Sequence, residues 1–184
     1  MSISRWTLFN LFCCCLLAGA CWAQHHHDDV LNPDEIDQIR DAAQTPDDRL
    51  KLYIQFARAR LDALDKSRTD PAVKDHAQEI HDRLSDFADI YDELDENVDT
   101  YADRKDDLRK PLKAVIDADT EFQTLLRALQ SSLTGAQNQE VYQFFLTTAL
   151  NAVDDGARDH RQLLAEQEEA AKHRKKREKG VDEQ

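Results

Sequence analysis

The densest group of metal-ligating side chains in the chain is His25-His26-His27-Asp28-Asp29. Its chemistry depends on where the mature protein begins. If a leader is removed after Ala23, Gln24 carries the terminal amine and His26 stands third. A free amine, two backbone amides and a third-position imidazole form a square-planar nitrogen site, a geometry that Cu(II) and Ni(II) prefer. The candidate metal residues are therefore Gln24, His25 and His26. Cyclisation of Gln24 would remove the amine. The plainer reading of so short a His-rich tract is a polar leader of biased composition.

The other histidines are His76, His81, His160 and His173. A carboxylate-bridged di-metal bundle needs Glu-x-x-His on facing helices. Here the residues three places before are Val73, Gln78, Ala157 and Ala170, so no such pair exists. His160 differs from the rest because it follows Gly156 by one turn on an apolar seam. It is expected either as a satisfied seam histidine or as a buried pH-sensitive or ligand-binding group. Ten acids between Asp86 and Asp107 lack the glycine of a calcium loop and follow a helical spacing, so they are expected to form a solvated face. There is no Gly-x-Ser-x-Gly, no phosphate-cradling glycine loop and no His-Glu-x-x-His. No catalytic residue and no cofactor are predicted.

One more group could bind. Lys172, Arg174, Lys175, Lys176, Arg177 and Lys179 concentrate positive charge at the end of a chain whose formal net charge is −13. Such a run complements the negative end of a helix dipole. It is longer than the last turn, so it also predicts weak, salt-sensitive contact with an anionic membrane surface. The absence of Trp, Phe and Leu from it predicts contact without insertion. The overall charge argues against nucleic acid as a partner.

The elements that must position these residues follow from the apolar spacing. Leu8 to Ala20 is an apolar run behind Arg5, too short for a comfortable membrane span and suited to a secretory leader. Cys21-Trp22-Ala23 before Gln24 suits an ordinary leader peptidase. Leu17-Ala18-Gly19-Ala20-Cys21 is an imperfect lipobox and the less favoured exit. All four cysteines lie in this region, so a chain cut at Gln24 has no disulfide framework and no thiol nucleophile. The expected organisation is a signal peptide at 1–23, a His/Asp-rich disordered leader at 24–32, a helical domain at 33–171 and a basic, frayed tail at 172–184. The expected location is the periplasm or the outside, with lipid anchoring at Cys21 as the alternative.

Gly and Pro are sparse after the leader, which argues against sheets and their turns. Asn32-Pro33-Asp34-Glu35, Thr45-Pro46-Asp47-Asp48 and Asp70-Pro71 read as helix starts. They predict helices from Pro33 to Ala43, from Pro46 to Lys66, and onward from Pro71. The second helix carries Leu50, Ile54, Ala57, Leu61 and Leu64 on one face. From Val73 to Leu133 a heptad seam runs through Ala77, Leu84, Phe87, Tyr91, Leu94, Val98, Leu112, Val115, Phe122, Leu126 and Leu129, interrupted only by Lys105 and Asp119. The unbroken phase favours one helix kinked at Pro111, with a split into two as the other reading. Lys105 and Asp119 would pair with opposite charges and fix register. A last helix from Asn138 to Lys176 has a seam through Tyr142, Leu146, Ala149, Val153, Gly156, His160 and Leu163 that fades after Gln167.

The reading is all-α: an elongated antiparallel bundle of long amphipathic helices with a heptad seam, its central helix kinked or split at Pro111. The function expected is that of an exported, non-enzymatic protein acting by protein–protein or envelope-surface contact, with self-association included. The alternative is a Cu(II)- or Ni(II)-binding envelope protein.

Overall fold

The computed structural model describes residues 30–42, 45–135 and 138–182, with side chains as far as residue 176. The described residues form five α-helices: α1 (Pro33–Ala42), α2 (Pro46–Ser67), α3 (His76–Asp103), α4 (Pro111–Leu133) and α5 (Gln139–Asp182). None of these helices is long and apolar enough to cross a membrane.

Two starts follow the capping logic. At α1 the side chain of Asn32 accepts from the backbone N–H of Glu35 at 3.0 Å, and the Glu35 carboxylate accepts from the N–H of Asn32 at 3.0 Å. This reciprocal pair is a capping box. At α2 the hydroxyl of Thr45 accepts from the N–H of Asp48 at 3.2 Å. The expected start at Pro71 is corrected. Asp70 instead closes a turn, accepting from the N–H of Ala72 at 2.8 Å. The helix begins at His76, capped by the Asp75 carboxylate, which accepts from the N–H of Gln78 at 3.1 Å.

The chain between Asp103 and Pro111 leaves the helix, so α3 and α4 are separate elements. Lys105 adopts φ 65°, its N–H bonds to the carbonyl of Ala102 at 2.9 Å, and the N–H of Asp106 bonds to that of Tyr101 at 3.1 Å. That is the Schellman pattern, with lysine in the left-handed position usually held by glycine. The heptad phase survives this interruption because the intervening residues, 104–110, are one heptad long. Pro111 occupies the first turn of α4, where its missing N–H costs nothing. Lys105 is exposed and terminates α3, so its expected place as a charged seam residue is corrected.

Packing adjacency is a square: α2 beside α3, α3 beside α5, α5 beside α4, and α4 beside α2, with α1 against α2. Lys110–Asp47 and Arg58–Glu121 bridge α4 and α2 at the same sequence separation, 63 residues, so these two helices run in the same direction. Thr120–Arg161 and Gln123–Asp154 pair rising with falling numbers, so α4 and α5 run oppositely. Helices α3 and α4 occupy one diagonal and meet only through side chains, such as Phe87 and Phe122 with ring centroids 5.4 Å apart.

The predicted seams are the core. Ala77, Ile80, Leu84, Phe87, Tyr91, Leu94, Val98 and Tyr101 are buried on α3, and Leu112, Val115, Phe122, Leu126 and Leu129 on α4. The buried set is wider than the seams, adding Tyr53, Phe56, Ile90 and Ala118. Each helix of the square faces at least two neighbours, so its apolar stripe must exceed two positions per heptad. Along α5, burial fades as expected: Val153, Ala157 and His160 are buried, Leu163 and Leu164 only partly.

Candidate functional site

At the centre of the square, three helices each contribute one polar group. Tyr91 comes from α3, Asp119 from α4 and His160 from α5. Asp119 is fully buried and His160 is 2% exposed. The Tyr91 hydroxyl donates to Asp119 Oδ1 at 2.8 Å. His160 Nδ1 lies 2.9 Å from Asp119 Oδ2. Its Nε2 stands 3.1 Å from Asp95 Oδ1 on α3, an ion-pair distance that lacks hydrogen-bond alignment. Asp95 opens the cluster to solvent; its side chain is 46% exposed.

Gly156 makes this arrangement possible. It sits one turn before His160, and a Cβ there would lie 2.5 Å from the Tyr91 hydroxyl oxygen. The room that Gly156 leaves beside His160 is thus filled by Tyr91. The ring of Tyr91 packs edge-on to Phe122, centroids 6.3 Å apart, which fixes the direction of its hydroxyl.

Burial works against a charge on His160. The hydrogen bond to Asp119, the nearby carboxylate of Asp95 and the charges of both outweigh it and push the imidazole up to about 9. Burial first, then the charge and hydrogen bond of Asp119, push the Tyr91 phenol well above its usual range. At neutral pH the unit is therefore a phenol and an imidazolium clasping one carboxylate. A protonated imidazole cannot accept a proton, and its free edge faces Asp95. The arrangement suits a polar lock between three helices better than a base. Asp119 finds its expected opposite charge in His160.

Two further features were not foreseen. Glu35 and Arg60 join α1 to α2 through paired contacts of 2.7 Å, with side chains only 8% and 16% exposed. Burial raises the Glu35 carboxyl, but the Arg60 guanidinium and the Asn32 amide prevail and hold it below the ordinary range. Between α2 and α4, a groove of about 400 Å³ is lined by Leu61, Leu64, Leu125, Leu126 and Leu129, with Asp62, Asp65 and Arg68 on its rim. Leu125 is 42% exposed.

Gln24, His25 and His26 lie outside the described residues. Among those that are described, no group of three or more His, Cys, Asp or Glu stands where it could hold a metal. Lys172, Arg174, Lys175 and Lys176 lie exposed on α5, which continues through them as helix. The side chains of Arg177 and Lys179 lie outside the described set. His76 and His81 are partly buried, His81 against the ring of Phe145 at 4.0 Å, and His173 is exposed, 3.1 Å from Glu169. The acidic stretch presents exposed Asp92, Glu96, Asp99 and Asp103 as expected. Burial and neighbouring carboxylates raise Asp92 and Asp99 above the ordinary carboxyl range.

A tyrosine in an apolar seam gives no sign of which way its hydroxyl will point, so Tyr91 was legible only as core. The joint signal was present in Asp119 and His160: two ionisable groups on apolar seams must each find a partner on burial. The chain matches no known protein family, no curated protein and no solved structure.

Proposed function

We propose that the chain is an exported, non-enzymatic helical protein that acts by protein–protein or envelope-surface contact. The observation that carries this reading is the groove between α2 and α4. Its leucines are apolar, and Leu125 is left 42% exposed at its edge. An apolar cleft with a polar rim fits an apolar anchor from a partner. That His160 is held as an imidazolium against the fully buried Asp119 supports the non-enzymatic half of the reading. We further read the packing as an elongated bundle in which consecutive helices from α2 to α5 alternate in direction, although the neighbours α2 and α4 run the same way. The 44 residues of α5 support this, spanning about 66 Å at 1.5 Å per residue.

A photo-crosslinking residue at Leu125, with Arg40 as the control position, tests the contact in cells of the native host. A discrete adduct at Leu125 that is absent at Arg40 is expected. Equal labelling at both positions, or none at Leu125, refutes the groove. Intact mass tests export: a chain beginning at Gln24 or pyroglutamate is expected, and an uncut chain refutes it. Small-angle scattering of the mature chain should give a radius of gyration above the ~15 Å of a compact chain of about 160 residues. A compact value refutes the elongated shape.

A further inference from the structure

The end of the molecule remote from the groove carries a second surface, built from two elements that are far apart in sequence. The side chain of Gln167 clamps the link between α3 and α4. Its Oε1 accepts from the N–H of Leu108 at 2.8 Å, and its Nε2 donates to the carbonyl of Asp106 at 3.1 Å. Leu108 is fully buried beneath it. The clamp ties the residues that follow Leu108 to the residues one turn beyond Gln167. Arg109 and Lys113 therefore face Lys172 and Lys175 across a shallow groove of about 240 Å³, with Ala171 as a 7% exposed floor and Glu168 on the rim.

These bases have acidic neighbours, and the lysine pairs are loose. Lys113 is 65% exposed and 3.8 Å from Glu168, and Lys172 is 73% exposed and 3.3 Å from Glu169. Arg109 holds Asp107 from the side, leaving that carboxylate 56% exposed. The Arg109 hydrogen bond, with the charge of Arg174 adding to it, pulls the Asp107 carboxyl down to about 2. The exposed lysine pairs contribute little and exchange readily for another anion, whereas Arg109 holds Asp107 with both prongs, at 2.8 and 2.5 Å. Lys110, 81% exposed, and Arg174, Lys175 and Lys176 complete the cationic end of an otherwise acidic molecule.

We propose that this end, formed by the start of α4 and the basic turns of α5, is a docking face for an anionic lipid surface, with headgroup phosphates taken between Arg109 and Lys113 on one side and Lys172 and Lys175 on the other. It deepens the contact reading by naming a surface partner, and it does not depend on the groove between α2 and α4. Charge complementarity selects the occupant. Each exposed base gains only about a factor of five near an anionic membrane, so one free phosphate held by two lysines would be bound too weakly to matter. An array of phosphates meets all the bases at once. The charge of −13 on the whole chain disfavours close wrapping of a nucleic acid. An end-on approach keeps much of that charge beyond the screening length of about 10 Å at 0.1 M salt.

The test is flotation of the whole chain with vesicles of phosphatidylglycerol in phosphatidylcholine, against vesicles of phosphatidylcholine alone. The apolar run Leu8–Ala20 can enter both vesicle types, so the quantity read is the excess binding to the anionic ones. The double variant Arg109→Glu, Lys113→Glu should lose this excess by about thirtyfold or more. Arg40→Glu, Arg127→Glu, which changes net charge equally elsewhere, should lose less than threefold. Salt at 1 M should abolish the excess. Lys172→Glu, Lys175→Glu should reproduce the loss with an unchanged circular-dichroism melt, which guards against misfolding of the first variant. The proposal is overturned by full binding of both site variants, or by an equal loss in the control variant. It is overturned too by competition from millimolar inorganic phosphate, which would mark a single-anion site, or by salt-dependent self-association in place of vesicle binding.

Discussion

The lock formed by Tyr91, Asp119 and His160 makes stability depend on pH in a defined window. The groups facing His160 are Asp119 on α4, Tyr91, Asp95 and Asp99 on α3, and Asp159 and Arg161 on its own helix. The imidazole is raised from 6.5 to about 9 on folding. A raised group favours the fold while protonated, so its contribution is fully present below pH 6.5 and is lost as pH rises to about 9. That interval corresponds to about 3 kcal/mol, and His160 is too buried for solvent to screen much of it. Urea unfolding followed by circular dichroism between pH 6 and 9.5 should show this loss at constant slope in denaturant. Asp119→Asn should already be about 3–5 kcal/mol less stable at pH 6, because it leaves the imidazolium buried beside only Asp95. Its profile should be much flatter, so that variant and wild type converge near pH 9.5. The raised Tyr91 phenol does not confuse the window, since its contribution is lost only above an unfolded value of ~10. A wild-type profile flat from pH 6.5 to 9, or an Asp119→Asn profile with the full slope, refutes the lock as described.

Other substitutions probe the same packing. Gly156→Ala should lower stability by about 1–3 kcal/mol although alanine is the better helix former, because its Cβ meets the Tyr91 hydroxyl at 2.5 Å. Combining it with Tyr91→Phe should recover part of that loss in a double-mutant cycle, and purely additive effects would refute the clash. Leu94→Asp, which places a charge where the native side chain is fully buried, should cost several kcal/mol in chemical denaturation. Asp92→Ala, by contrast, should leave stability at pH 7 unchanged or slightly higher, because partial desolvation and the charges of Asp89 and Asp95 raise its carboxyl. Asp99→Asn should likewise raise the melting temperature a little at pH 7 and not at pH 3. A raised carboxyl disfavours the fold only once it is ionised.

The residues divide according to how local their physics is. Helix starts at Pro33 and Pro46 were legible because a cap and its N–H lie within three residues. The core of α3 and α4 was legible because burial follows a period set by the helix itself, and position by position the seam from Ala77 to Tyr101 is buried. The same period concealed the break before Pro111. A link one heptad long keeps the phase while reversing the chain, and the stop at Lys105 uses a left-handed lysine where a glycine would have announced it. At Pro71 the local signal misled, since Asp75 competes as a cap and its bond to the N–H of Gln78 sets the start.

The all-helical class, most of the buried faces and the need of Asp119 and His160 for partners were legible in the residues alone. These follow from periodicity and from the cost of burying a lone charge. Who those partners are is set by the tertiary packing. That choice depends on which helices are neighbours and at what register, and it is set by packing all the stripes at once. Tyr91 reaches Asp119 because α3 and α4 share a diagonal, and there is room for its hydroxyl because Gly156 of α5 lies beside it. Arg109 and Lys172 share one groove because the amide of Gln167 holds the link to α5.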